Sequence, residues 1–326
     1  MKIYHLIILF SSIQLLGSTK YESNENFGYI NYHELIIEAE GLISEEKFSE
    51  ALMKYDKIFR SYDFIFLRDY KIVSQLALYI GEEEKALYYI KKGITSGWTL
   101  KALNANKFLK PLQIKPEWKA LEKDYDSLHN QNLARIDLSA KEKVHAMFKK
   151  DQKKALGALL RIGDKAQERY ALKKFAPHSE NQIKELIKLL ENQGYPGERL
   201  IGNNYWMSTI VSHHNSITQE YVKNDTLYKF IRPLLIQAIN KGQISPYEFA
   251  LIDDWQKAVS FNRASAGYGF LNPPSQSTLS KTNDLRLAIG LRPVELRNKL
   301  IDVENKTGLN LYLPDWVKGK IIIEQK

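Results

Sequence analysis

The sequence predicts a mainly α-helical chain in two parts, a short array of helix pairs followed by a second helical unit. Three observations carry that expectation. Apolar residues recur at spacings of three and four over most of the 326 residues, the period of a helix with one buried face. Gly and Pro number only 17 and 10, so few points force a break. A segment near the N-terminus also repeats itself after about 35 residues, the length of one helix pair.

The elements follow in order. Residues 1–18 read as a secretory signal: Lys2 supplies the positive start, Leu6–Leu16 the apolar stretch, and Leu16-Gly17-Ser18 the small residues for cleavage. Eleven apolar-rich residues are too short to span a bilayer comfortably, so no transmembrane segment is expected once the signal is removed. The expected location is the bacterial periplasm or exterior. The chain has no cysteine, which excludes a disulfide framework, a thiolate metal site and a cysteine nucleophile. A hydrophobic fraction of 44% and a charged fraction of 26% are those of a globular protein.

Residues 19–130 form the first expected unit. Phe48-Ser49-Glu50-Ala51-Leu52 with Tyr55 and Ile58 lies thirty-five residues before Glu83-Glu84-Lys85-Ala86-Leu87 with Ile90 and Gly93. Ala51 and Ala86 sit where two helices would approach closely. A first helix precedes each, with Leu35, Ala39 and Leu42 in one copy and Tyr70, Val73 and Ala77 in the other. This pattern resembles tetratricopeptide repeats, which present surfaces to proteins or peptides. Two such pairs cannot bury a stack alone. Trp98, Leu103, Phe108, Leu109, Leu112, Trp118 and Leu121 are therefore expected to cap them.

Residues 131–326 form the second unit. Ser139-Ala140-Lys141-Glu142 reads as a capping box, Ser179 with Gln182 as a second helix start, and Ser245-Pro246-Tyr247-Glu248 as a third; Gly194 reads as a left-handed stop. A single helix is expected over 203–222. On it Trp206, Ile210, Ile217 and Tyr221 share a stripe, with His214 inside and His213 at its edge. Gly319–Glu324 offers one short strand or an apolar tail.

The net charge of +9 is uneven. Lys141–Lys174 holds eleven Lys or Arg against four Asp or Glu. Such a stretch reads first as the solvated face of one long helix; it would also suit an anionic envelope surface, while export argues against nucleic acid as the partner.

The candidate site is spread over residues 193–291. His213, His214, Asp253, Tyr268 and Arg286 are the candidate catalytic residues, and Tyr195, Trp206 and Tyr268 the candidate ligand contacts. Asp253 follows Ala250 by three positions, so it should face inward and meet Arg263, Arg286, Arg292 or a histidine. No recognised metal-ligand spacing is present, and no cofactor or metal is expected. There is no phosphate-binding loop, nucleophile elbow or zinc-protease motif.

Asp151-Gln152, Gly194-Tyr195-Pro196 with Ile201-Gly202, Ser212-His213, Asp253, Tyr268-Gly269 and Arg286 with Gly290-Leu291 follow one another in an order that resembles an uncharacterised helical domain family of exported bacterial proteins. The resemblance covers residues 140–295. Ser212 and Asp254 depart from the family's usual Gln and Arg. The family implies a shared fold and site, without a reaction. The functional expectation is an exported binding or scaffold protein of the envelope. The alternative is a hydrolase using a His/Asp centre on an envelope polymer or small metabolite.

Overall fold

A computed structural model describes residues 28–313 and 319–325; the expected signal, residues 1–18, lies outside the described residues. The described residues are all α-helical, with no strand. Of the two expectations for Gly319–Glu324, a short strand or an apolar tail, the segment is a tail, making one isolated parallel bridge between Ser275 and Glu324. No helix among the described residues is long and apolar enough to cross a membrane.

Helices α1 (Tyr29–Ser44) and α2 (Phe48–Ser61) pack as one pair, and α3 (Leu67–Tyr79) and α4 (Glu83–Thr95) as a second. Ala51 and Ala86 are completely buried. The turns inside the pairs are equivalent at the same 35-residue offset. Glu46 and Gly81 both adopt positive φ, 59° and 86°. Lys47 N–H donates to Leu42 O in the first turn, and Glu82 N–H to Ala77 O in the second. Gly81 enters this conformation freely, whereas Glu46 pays about 1 kcal/mol for it.

Short helices α5 (Leu100–Asn104) and α6 (Lys110–Gln113) lead to α7 (Pro116–Arg135), which lies against α4. Trp98, Leu103, Leu109, Leu112, Trp118 and Leu121 are buried in the same core as the pairs.

Beyond residue 135 the second unit, with its own core, comprises α8 (Leu138–Leu159), α9 (Asp164–Tyr170), which buries no residue, a π-turn over Ala171–Phe175, α10 (Ala176–Asn192) and α11 (Glu198–Ile201). It continues through α12 (Trp206–His214), α13 (Gln219–Asn224), α14 (Leu227–Asn240), α15 (Pro246–Ser260) and α16 (Leu279–Leu287). The last helix, α17 (Val294–Thr307), returns to the first core: it packs on α1, and Leu300, Val303, Leu309 and Leu311 join the helix-pair cluster. The helix-pair stack is thus covered at one end by α7 and at the other by α17.

Three local expectations are corrected. The helix expected over 203–222 breaks after His214, and Thr218 caps a new helix by accepting from Tyr221 N–H; Ile217 therefore lies in the connecting turn, outside the stripe of α12. Helix α8 starts one residue before Ser139, because Asp137 is its cap and accepts from Ala140 N–H. Ser179 lies inside α10, which starts at Ala176 with Pro177 in its first turn, so its hydroxyl is free for a tertiary contact. The start at Pro246 is capped by Ser245, which accepts from Glu248 N–H.

Candidate functional site

Of the expected residues, Asp253, Tyr268 and Arg286 come together, each of them buried, in a network whose outer members Arg232 and Lys257 reach the surface. Asp253 is almost completely buried on α15. It does not meet Arg263, Arg286, Arg292 or a histidine. Its partner is Arg232 on α14, through two hydrogen bonds of 2.7 and 3.1 Å. Arg232 was hidden from a sequence reading because it belongs to a helix that contributed no motif. Tyr228 Oη and Tyr268 Oη donate to the same carboxylate at 2.8 and 3.2 Å, and Lys257 lies 3.5 Å away. Despite burial, these partners hold the Asp253 carboxyl below the usual range.

The neighbouring Asp254 holds the loop that follows. It accepts from the backbone N–H groups of Tyr268, Phe270 and Leu271 at 2.7, 2.9 and 3.2 Å. Burial raises it to about 6 against those three bonds. Gly267 has φ of +53° and touches Asp254 where any side chain would collide, so glycine is required there. Arg286, also buried, donates to Tyr268 O and Arg292 O and lies over the Phe270 ring. Tyr195 is buried too and donates from Oη to Glu248 at 2.7 Å. These residues hold backbone and core together.

The two histidines separate. His214 is sealed between Ser179, at 3.0 Å from Nδ1, and Asp225, at 3.0 Å from Nε2. Asp225 also accepts from the N–H groups of Leu227 and Tyr228 at the start of α14. The constellation contains a serine, a histidine and an aspartate, yet Ser179 is fully buried, so it fastens α10 and α12 to α14.

His213 faces the other way. Its side chain keeps 31% of its surface exposed, while its partner Asp151 on α8 has none. Nδ1 lies 2.6 Å from Asp151 Oδ2; because a carboxylate only accepts, Nδ1 carries the proton of this bond. Phe175, the last residue of the π-turn, sets its ring edge-on to both His213 and His178. On the seam between α8 and α12, Trp206 stacks on His145 with centroids 4.3 Å apart and lies beside Phe148. Asp151 is not among the candidate residues because Lys149, Lys150, Lys153 and Lys154 around it read as a solvated face. The available signal was its position four residues after Met147 and seven after Val144, an acid on the apolar stripe.

A second feature lies where the two units meet. A cavity there is lined by Ile37 and His33 from α1, Phe66 and Arg68 at the start of α3, Glu198 from α11, and Tyr205, Tyr247 and Arg292 from the second unit. The cavity volume is about 80 Å³. Arg68 and Arg292 both bind the buried Glu40 carboxylate. Burial, reinforced by their charges, depresses His33 to about 3, and His33 Nε2 has no hydrogen-bond partner. Glu198 accepts from Leu67 N–H at 2.6 Å; loss of water around its carboxyl pushes it up to about 7. No group of three or more metal-ligating side chains among the described residues could hold a metal ion.

Neither a family model, a curated protein nor a solved structure matches this chain.

Proposed function

We propose that this chain is an exported envelope protein whose activity is to bind a small polar ligand in the cavity between a tetratricopeptide-like helix-pair unit and the second helical unit. One observation carries the reading. Both units supply walls of the cavity, and His33 Nε2 is left without a partner inside the protein. Buried polar atoms are rarely left unsatisfied, so a ligand group that completes His33 stabilises the closed seam. The signal-like N-terminus, and the resemblance of residues 140–295 to exported bacterial proteins, support the location. The sealed state of Asp253, Tyr268 and Arg286 supports binding over catalysis at those residues.

Native mass spectrometry of the chain incubated with an envelope metabolite extract tests the reading. The expected result is one small molecule retained per chain, lost in Ile37→Trp, which fills the cavity while the circular dichroism stays helical. Equal retention by the Ile37→Trp variant, or no retention from any extract, would contradict it.

A further inference from the structure

Apart from the cavity, we propose that Asp151 and His213, with Lys150 and Lys154 beside them, form a hydrolytic centre for small esters carrying negative charge at or next to the scissile bond. Asp151 is wholly buried and His213 is half-open, so the carboxylate fixes the imidazole from behind and leaves Nε2 facing outward. That is the arrangement of a general base with its orienting acid.

A second observation marks the same place as unfinished. Asp151 Oδ1, His178 Nε2, Gln182 Oε1 and Ser212 Oγ are buried atoms without a hydrogen-bond partner. Gln182 donates to Met147 O across the α8–α10 contact. One helical turn further along α8 is Asp151, and one turn back along α10 is His178, so two antiparallel helices set this pair opposite each other. The Asp151 charge indeed acts on His178. In contrast, Asp253 and Asp254 have every carboxylate oxygen bonded.

The surroundings choose the substrate. Lys150 and Lys154 also act on His178, and the stretch Lys141–Lys174 carries the largest basic excess singled out in the sequence. This field favours an anionic substrate and the charge that develops in the transition state. The half-exposed rings of Trp206, His145 and Phe148, on the same α8–α12 seam, offer a stacking surface for its apolar part.

The step needs only water. His213 Nε2 takes one proton from a water molecule, and the oxygen forms a bond to the carbonyl carbon or phosphorus. The bond to the alcohol oxygen breaks with its electron pair, and protonated Nε2 returns the proton to that oxygen. An acid and an alcohol leave, and His213 is regenerated.

The test is turnover by the purified chain of bis(4-nitrophenyl) phosphate, 4-nitrophenyl succinate and neutral 4-nitrophenyl acetate. The first two separate phosphate from carboxylate as the source of charge. The expected result is hydrolysis of one anionic ester with kcat/KM at least tenfold above the acetate. His213→Gln should lower kcat at least a hundredfold. Asp151→Asn should lower it at least tenfold and displace the pH profile, and Lys154→Ala should lower kcat/KM for the anionic ester severalfold. His213 is partly exposed, so its variant remains folded, and circular dichroism of each variant separates loss of chemistry from loss of fold. The proposal is overturned if the folded native chain hydrolyses neither anionic ester, if it prefers the acetate, or if turnover survives His213→Gln.

Discussion

Two buried aspartate systems, on α15 and on α8, show how the same side chain serves opposite ends. Asp253 and Asp254 spend every oxygen on an arginine, two tyrosines and three backbone amides, so that neither carboxylate has an oxygen to spare, although the Arg232 side chain itself reaches the surface. Asp151 is equally sealed, yet one of its oxygens is idle and the other grips a histidine that is open to solvent. A carboxylate whose bonding is complete fixes a loop; one whose bonding is incomplete, with a half-open partner, is available for chemistry. The costs differ too. Breaking a completed network orphans several buried groups at once, whereas the α8 pair already tolerates an orphan.

The most damaging change expected is Asp254→Ala. It strands the N–H groups of Tyr268, Phe270 and Leu271, and chemical denaturation should show a loss of roughly 3–5 kcal/mol. A loss under about 1 kcal/mol would show that the Tyr268 loop is held by something else. Leu300→Ala comes next, at about 2–4 kcal/mol, because Leu300 is completely buried where α17 closes the helix-pair core. If this variant unfolds in a separate, earlier transition, the C-terminal helix is an independent attachment and not part of that core.

A third contrast concerns Glu248, which burial raises to about 7. An acid whose folded pKa lies above its unfolded value binds more protons when folded between those two values, so its contribution to stability falls as pH rises through that window. Here the window runs from about 4.5 to about 7. Glu248→Gln removes the buried charge. Its melting temperature relative to the native chain should therefore rise between pH 5 and pH 8; a constant difference would contradict the assignment. His213→Gln should cost less than about 1 kcal/mol, because the ring is partly solvated and Asp151 keeps a polar neighbour. Lys153→Ala, on the exposed face of α8, should change stability by no more than about 0.5 kcal/mol.

Much of the helical order was legible from side chains alone. Ala51 and Ala86, with their shared offset, marked both helix pairs, and Ser245-Pro246 marked the start of α15. His214 inside and His213 at the edge also followed from spacing, since both lie in the last turn of α12, before the helix breaks. The break itself was missed: Asn215-Ser216-Ile217-Thr218 keeps the apolar period for one more position, and only Thr218 capping Tyr221 N–H ends it. Arg232 as the partner of Asp253 depends on how α14 and α15 are set side by side, a tertiary fact without a local signature. The cavity between the units is further still from a sequence reading, because His33, Arg68, Glu198 and Arg292 are brought together from four distant segments. The return of α17 to α1 was equally invisible, since its apolar spacing suits any core.

The comparison is tested most directly by the thermal unfolding of Asp151→Asn and Asp254→Asn, measured side by side at pH 7. Both substitutions keep the shape of the side chain and remove its charge. The account predicts that Asp254→Asn melts well below the native chain, because one acceptor cannot serve three amides, while Asp151→Asn melts close to it. The reverse order would contradict the account and make Asp151 the structural residue of the two.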